Sequence, residues 1–585
     1  MKRFLFSRPV GVGTRGILVM GMLLMSLGYS GADVAYAAPP ANDDFDAAIQ
    51  INAIEFHAFP DTTEATPVVA GGPGDDPDNI PCPEPGDPNK VLNYGFASVW
   101  YKYTPPEDQG IALNTANSSY DTFIAVWTGT RGNLNLVACN DETFEGFAEL
   151  SFIGTAGTTY YIEVAQFNDG TGGTTFFGGD LVFNAFITNT NVRVGGTLKG
   201  RYFVPETNAL LRSIIKLDAG PVEIFNVANN QIIASERVVY RVNGKPTSFS
   251  DMIGLPESQV DKVYRLPWYN NKTMDTQIRI TNVSGSNASI RVRIGGLEMP
   301  GNPFTLAAGA TIRKSYPGID KGPVKVLSNT NIVVSERVFY KVNNVINSYS
   351  EIMALPEKQL HRVYWLPWYN NKTMTSQLQV SNVSTTTATV KILIGGKPMK
   401  GTPFNVLSGK TKRISFAGID KGPVKIISNV NIVASERVIY RLLSGGPVSF
   451  TEVMALPQSQ LDTIYWLPFY TKNSTVDTQL RFANVSATPA TVRIYIRGVE
   501  MPGSPFTLAV GASKRVLYAG VNRGPVKIES NVKIIAGARI IYTVGGKPTS
   551  YSEVIALPNK QLSSRYWMTW YNNKTADTQL RIALP

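Results

Sequence analysis

The chain has 585 residues, too many for one hydrophobic core and enough for about four domains. With 2 histidines and 2 cysteines it has little material for zinc clusters or Ser-His-Asp machinery. The net charge of +11 conceals a division: 39–192 holds 21 acidic residues against 3 basic, and 193–585 holds 48 basic against 22 acidic.

At the N-terminus, Lys2, Arg3, Arg8 and Arg15 precede the apolar run ILVMGMLLMSL (17–27), and Ala35-Tyr36-Ala37 offers a small-residue cleavage site. Residues 1–37 therefore read as a secretory signal peptide, which makes the mature protein exported, extracellular or held at the cell surface. GVGTRG (11–16) matches a nucleotide-loop pattern by chance, because no strand-to-helix turn surrounds it. No later run approaches the roughly 20 apolar residues of a transmembrane segment. In an oxidising compartment Cys82 and Cys139 are expected to pair as a disulfide.

Residues 39–190 read as an acidic all-β domain. Short runs such as ASVWYKYTP (97–105), DTFIAVWTG (121–129), LNLVACND (134–141) and TTYYIEVAQF (158–167) are separated by Gly, Asn, Asp and Thr clusters, the pattern of an antiparallel sandwich or jelly roll. Asp43, Asp44, Asp121, Asp141 and Glu142 supply the oxygen ligands calcium prefers, but no EF-hand spacing joins them and turn chemistry accounts for the same residues. No other cofactor is indicated. The ordered series NDDFDAAIQI, SVWYKYTPPEDQG, SSYDTFIAVWTG, LVACNDE and GTTYYIEVA resembles the bacterial pre-peptidase C-terminal (PPC) domain. The resemblance implies a small β-sandwich module appended to secreted proteins, many of them peptidases, with some members binding calcium or extracellular polymers. No peptidase unit is recognisable in this chain, so no enzymatic activity is expected. His57 and His361 stand alone in unrelated segments and read as surface or packing residues.

From 192 onward the chain repeats itself every 100 to 102 residues. TQIRITNVSGSNASIRVRIGGLEMPGNPFTL (276–306) returns at 376–406 and 478–508, and KGPVKVLSNTNIVVSERVFY (321–340) has counterparts at 219–240, 421–440 and 523–542. The divisions are an incomplete first repeat at 192–263, repeats at 264–363, 364–464 and 465–565, and the first strands of a truncated repeat at 566–585. A period this long predicts separate immunoglobulin-like β-sandwiches arranged as beads on a string. The out-of-phase ends have a second reading, in which 566–585 completes the open first copy of a neighbouring molecule and drives head-to-tail self-association.

Within a copy Ile290, Val292 and Ile294 alternate with Arg291 and Arg293, and Ile278 and Ile280 with Arg279, which predicts strands with one apolar and one wet, basic face. VKVLSNTNIVVSERV reads as a hairpin around Ser328-Asn329. SYSEIMALP (348–356) reads as a short helix, with Ser350 as N-cap, Glu351 in the first turn and Pro356 ending it. The same phase turns Glu236, Glu336 and Glu436 inward, while the fourth copy has Ala538 there. Asn271, Asn371 and Asn382 lie in glycosylation-type sequons and read as turn asparagines.

A motif typified by YWLPWYNN (364–371) follows the predicted helix in each copy. Its aromatics, Trp268, Tyr269, Trp365, Trp368, Tyr369, Trp466, Phe469, Trp567 and Trp570, either stack on ligands or fill the joints between sandwiches. The repeats resemble the β-sandwich copies of large bacterial surface proteins, which carry no known catalytic residues. The sequence thus points to a non-catalytic secreted or surface protein acting in adhesion, matrix or cell-wall association. Anionic polysaccharide is its expected partner, and nucleic acid is not expected, because export and dispersed sandwich-face charges stand in place of a recognised binding motif. Two alternatives are a carbohydrate-binding array using the aromatics and an accessory region of a secreted peptidase or hydrolase.

Overall fold

The computed structural model describes residues 38–66, 82–84, 87–91, 96–141, 147–167, 178–242, 245–441, 447–544 and 546–585. The signal-like stretch 1–37 and Glu142 lie outside them. The described chain is built almost wholly from strands, with short 3-10 turns as its helical elements.

The acidic head is a two-layered sandwich. One sheet orders Ile49–Ile51, Phe96–Tyr103, Tyr160–Gln166, Thr122–Thr130 and Asn133–Asn140; the other orders Phe56–Ala58, Phe183–Ile187, Gln109–Asn114 and Glu149–Gly154. Val99, Tyr101, Ile111, Leu113, Val126, Val164 and Phe183 meet between them, as alternating strands with one apolar face require. The Cys82–Cys139 disulfide is present and lies beside a second cluster around Trp100 and Trp127.

The repeats form four sandwich units. Unit II (Asp261–Met353) shows the plan. Ile290, Val292 and Ile294 are fully buried, whereas Arg291 and Arg293 face out, so the period of two holds on this strand. Arg279 departs from it. It is fully buried, because its face of the strand lies against another unit and not against water. The expected hairpin at Ser328-Asn329 is also absent. Val324–Val342 runs as one strand of 19 residues. Its first part pairs with Ala288–Ile294 and Asp261–Leu266, and its second with Asp275–Asn282 and Val345–Met353, so this strand crosses from one sheet to the other. Asn329 serves the crossing by accepting the Ser289 N–H at 2.7 Å.

The predicted helix at 348–356 is a strand, Val345–Met353. Local capping grammar misleads here because Ser350 does accept a backbone N–H, but from Glu452 of unit III at 3.1 Å. Glu351, expected to complement a helix dipole, is buried in ion pairs instead. A 3-10 turn follows at Glu357–Gln359.

Residues 566–585 do not open a further copy. Ala576–Ala583 lies between Ala209–Arg212 and Ile233–Val242, Arg565–Met568 pairs with Val222–Asn226, and Tyr571–Asn572 with Asp218–Ala219. The two end segments of the array thus form unit I together, and the strands expected to join a neighbouring molecule are occupied within their own chain.

The beads-on-a-string expectation falls with this pairing, because the units close into a ring. The last strands of units I to IV, Lys245–Ile253, Val345–Met353, Pro447–Met454 and Lys547–Ile555, touch in the sequence I–II, II–III, III–IV and IV–I. Each pairs with its own unit along one edge, and the other edge is satisfied by hydroxyls of the unit before it. The amides of Phe249, Tyr349, Phe450 and Tyr551 donate to Ser550, Ser248, Ser348 and Ser449 at 3.0–3.3 Å. Those four hydroxyls also contact one another in a closed cycle at 3.1–3.3 Å. A second tier repeats the device, with the amides of Asp251, Glu351, Glu452 and Glu553 donating to Ser552, Ser250, Ser350 and Thr451. Buried strand edges must find partners, and side-chain oxygens supply them here.

The head joins unit I without a linker. Phe186 stacks on Phe203 at 4.0 Å, and Arg212 pairs with Glu149.

Candidate functional site

The repeated aromatic motif divides by position into three roles. Its first tyrosines, Tyr264, Tyr364, Tyr465 and Tyr566, are fully buried. Each hydroxyl accepts the N–H three residues earlier, as from Asp261 at 3.1 Å, and Tyr364 donates to the Ile432 carbonyl at 2.7 Å. The second tyrosines, Tyr269, Tyr369, Tyr470 and Tyr571, fix the turn that follows, NNKT in units I to III and TKNS in unit IV: Tyr269 donates to the Thr276 carbonyl and accepts the Tyr316 N–H. Burial pushes the Tyr269 phenol up to about 12, with the Tyr316 and Asn271 hydrogen bonds opposing it.

The tryptophans after the first tyrosine cross the seams. Trp365 packs into the core of unit IV, Trp466 into that of unit I and Trp567 into that of unit II. Arg265 takes the place at the II/III seam and makes a bidentate pair with Glu357 at 2.5 and 3.0 Å.

The later aromatics lie under arginines of the next unit. Arg413 sits 4.1 Å from the Trp268 ring, Arg481 5.3 Å from Trp368, Arg581 5.3 Å from Phe469, and Arg313 4.4 Å from Trp570. The indole N–H groups of Trp268 and Trp368 donate to Asp320 and Asp420 at 2.7 and 2.6 Å. Cation–π contacts of this kind contribute about 1–2 kcal/mol when partly desolvated. A sugar stacking on the ring face that an arginine covers must first displace it.

Behind the arginines lies a buried carboxylate network. Glu351 pairs with Arg337 at 2.9 Å and with Arg279 at 3.4 Å. Burial works to raise its carboxyl, but Arg279 and Arg337 outweigh that and hold it at about 2. Burial and the like charge of Arg337 lower Arg279 to about 10. Unit III has Gln379 where unit II has Arg279, and its Glu452 shifts the other way: burial raises it, with Arg437 opposing. Glu236, Glu336 and Glu436 point inward at the seams, and both Glu236 oxygens lack a hydrogen-bond partner. Burial, reinforced by the carboxylates of Glu351, Glu452 and Glu553 respectively, drives all three well above the usual carboxylate range.

The acids singled out in the head are engaged separately. Asp43 accepts the Thr66 amide and hydroxyl at 2.7 and 2.8 Å, and Asp44 caps a 3-10 turn and pairs with Arg131. Asp121 opens a strand segment and Asp141 is buried at the end of another. Among the described residues no three His, Cys, Asp or Glu side chains gather to hold a metal. Asn382 is fully buried, its side chain spanning a turn to the Thr386 and Val406 carbonyls. His57 is exposed, with Nδ1 2.6 Å from Asn184.

The sequence signs missed are the seryl cycle and a seam groove. The hydroxyls were visible as the repeated SFS, SYS, SFT and SYS triplets (248–250, 348–350, 449–451, 550–552), but they invite a helix-cap reading. The groove, about 560 Å³, lies at the III/IV seam among His361, Trp365, Lys425, Gln458, Ser486 and Lys533.

No family profile and no curated protein matches this chain. Among solved structures, a Clostridium perfringens ZmpB structure comprising an M60 catalytic domain with CBM51-1 and CBM51-2 domains aligns at 9% identity and a TM-score of 0.14, over 78% of this chain and 55% of that one. A glycoside hydrolase family 32 structure from Bifidobacterium adolescentis aligns at 7% identity and a TM-score of 0.15, over 83% and 97%. A Salmonella alpha-2-macroglobulin aligns at 10% and 0.09, over 79% and 35%. At such scores the likeness carries no inference.

Proposed function

We propose that this chain is a non-catalytic exported protein of the extracellular space or cell surface, acting in adhesion or in matrix or cell-wall association by holding anionic polysaccharide on its basic ring. One observation carries the reading. In units II and IV the outward arginines of one hairpin are neutralised: Arg291 and Arg293 pair with Glu298, and Arg493 pairs with Glu500. Unit III has Pro398 in place of the acid and adds Lys397 and Lys400 beside Lys391. All three lysines are exposed, and no carboxylate pairs with them among the described residues. Unneutralised charge at a hairpin tip attracts an anionic polymer through a field that salt screens.

The buried ionisable groups support the non-catalytic part, because their arginines and carboxylates pair with one another inside each packed unit, as Arg279 and Arg337 do with Glu351. The covered indoles favour a charge-based grip over sugar stacking. The test is retention of the full chain on an immobilised anionic polysaccharide, with neutral dextran as control. Retention is expected to fall steeply with salt and to be largely lost in the Lys391→Glu, Lys397→Glu, Lys400→Glu triple variant. Retention that the variant leaves unchanged overturns the proposal.

A further inference from the structure

The four seams are built from equivalent residues, which makes their differences informative. At II/III the groove positions include Asp261 and Glu357, and at I/II Glu223 and Glu257. At IV/I one acid remains, Asp462, beside Asn559. These groups are occupied: Glu357 binds Arg265, Glu257 accepts the Trp567 N–H, and Asn559 accepts the Trp466 N–H at 2.8 Å. Asp261 and Asp462 accept the amides of Lys358 and Lys560 at 3.1 and 3.0 Å.

The III/IV seam has lost every one of these acids. His361 stands at the Asp261 position, Gln458 at the Glu357 position, and Lys533 where units II and III have Asn331 and Asn431. The indole N–H of Trp365 is buried without an acceptor, although its counterparts at two other seams have one. Lys425 lies over the Trp365 ring at 4.8 Å, so a cation covers the face a sugar would stack on. His361 Nδ1 lies 2.9 Å from the Val363 amide nitrogen and 3.2 Å from its carbonyl oxygen, which holds the ring against its own strand. Lys560 stands behind the floor, donating to the Ser459 and Leu461 carbonyls at 2.7 and 2.9 Å. Burial lowers its ammonium, with the Asp462 carboxylate opposing this and Lys533 adding to it.

From this contrast we infer that the III/IV groove is a binding site for a carboxylated sugar segment, a uronate-bearing oligosaccharide. Lys425 and Lys533 take the carboxylate, while Ser459, Ser486 and Gln458 meet the ring hydroxyls. The volume of about 560 Å³ is in the range of small-molecule sites. The inference rests on the polysaccharide reading above and gives it a specific seat distinct from the unit III hairpin.

The experiment is calorimetric titration of the full chain with tetragalacturonate and with its methyl ester. The acid is expected to bind about tenfold or more tightly than the ester, a difference of about 1.4 kcal/mol. Lys533→Asn and Gln458→Glu, each installing a residue found at another seam, are expected to weaken binding about tenfold without moving the melting temperature. Lys325→Ala at the II/III seam leaves binding as it was. Equal affinity for acid and ester, or wild-type affinity in both seam variants, overturns the site. If the seam variants bind normally while the triple hairpin variant does not, the site falls and the broader reading stands. If the wild-type chain binds no anionic sugar polymer, both fall.

Discussion

Glu336 shows how far a single residue can be read. Period two along the strand turned it inward, and it is 2% exposed. No bulge re-aims it, since it pairs in register with Ile278 and Ile352. Its surroundings were not legible, because Glu452 and Arg437 approach from the next unit, about a hundred residues away. Glu236, Glu336 and Glu436 hold protons in the folded chain at pH values where the unfolded chain has released them. Stability is therefore fullest below the unfolded value near 4.5 and declines as pH rises toward the raised folded values. The Glu336→Gln variant should match the parent near pH 4 and be more stable at pH 8 by about 1 kcal/mol or more, measured by melting across pH. A parent chain that grows more stable from pH 5 to 8 relative to the variant would contradict this. For Trp365, inserted into the core of unit IV, replacement by alanine should cost about 3–5 kcal/mol. Trp268→Ala, at a half-buried ring under Arg413, should cost closer to 1–2, roughly the cation–π contribution. Equal melting shifts for the two would argue against the seam assignment.

At the scale of elements, the strands that read correctly were those whose burial is decided within one sandwich, such as Ala288–Ile294. Those that misled are decided between sandwiches. Val345–Met353 carries a serine and an acid in helix-start order, yet its edge is held by hydroxyls of another unit. Ala576–Ala583 was recognisable as a strand lacking a partner, but alternation does not say whose edge it joins. Closing unit I brings together residues 336 positions apart, as Arg241 and Asp577 are, at a loop-closure cost of about 5 kcal/mol. Burying Tyr566, Met568, Tyr571, Leu580 and Ile582, at about 2 kcal/mol each, offsets that about twofold. A chain ending at residue 564 should therefore melt lower, and a peptide of residues 565–585 added in trans should restore the parent melting temperature. A peptide without effect would mean that this pairing does not hold the ring shut.

The whole molecule joins an acidic head to a basic ring whose members share their boundaries. Independent sandwiches would unfold in separate steps. Units that insert tryptophans into one another and share a hydroxyl cycle should unfold together. Calorimetry is expected to give one transition for the ring, beside that of the head, and Ser348→Val should lower it as a whole. Several ring transitions, of which only one responds, would show the units to be autonomous. Repeat length, composition and charge division were all apparent in the sequence at this scale. Closure was not, because it depends on the angle at which each pair meets.

That closure has a bearing on copy number. The break in the array falls inside a sandwich, so gaining or losing one whole copy leaves the two end segments still complementary. What resists such a change is the axis. A fifth serine would widen the hydroxyl square into a pentagon and loosen the amide contacts behind it, and a third would crowd it. The four side chains at the centre thus act as a gauge matched to four units.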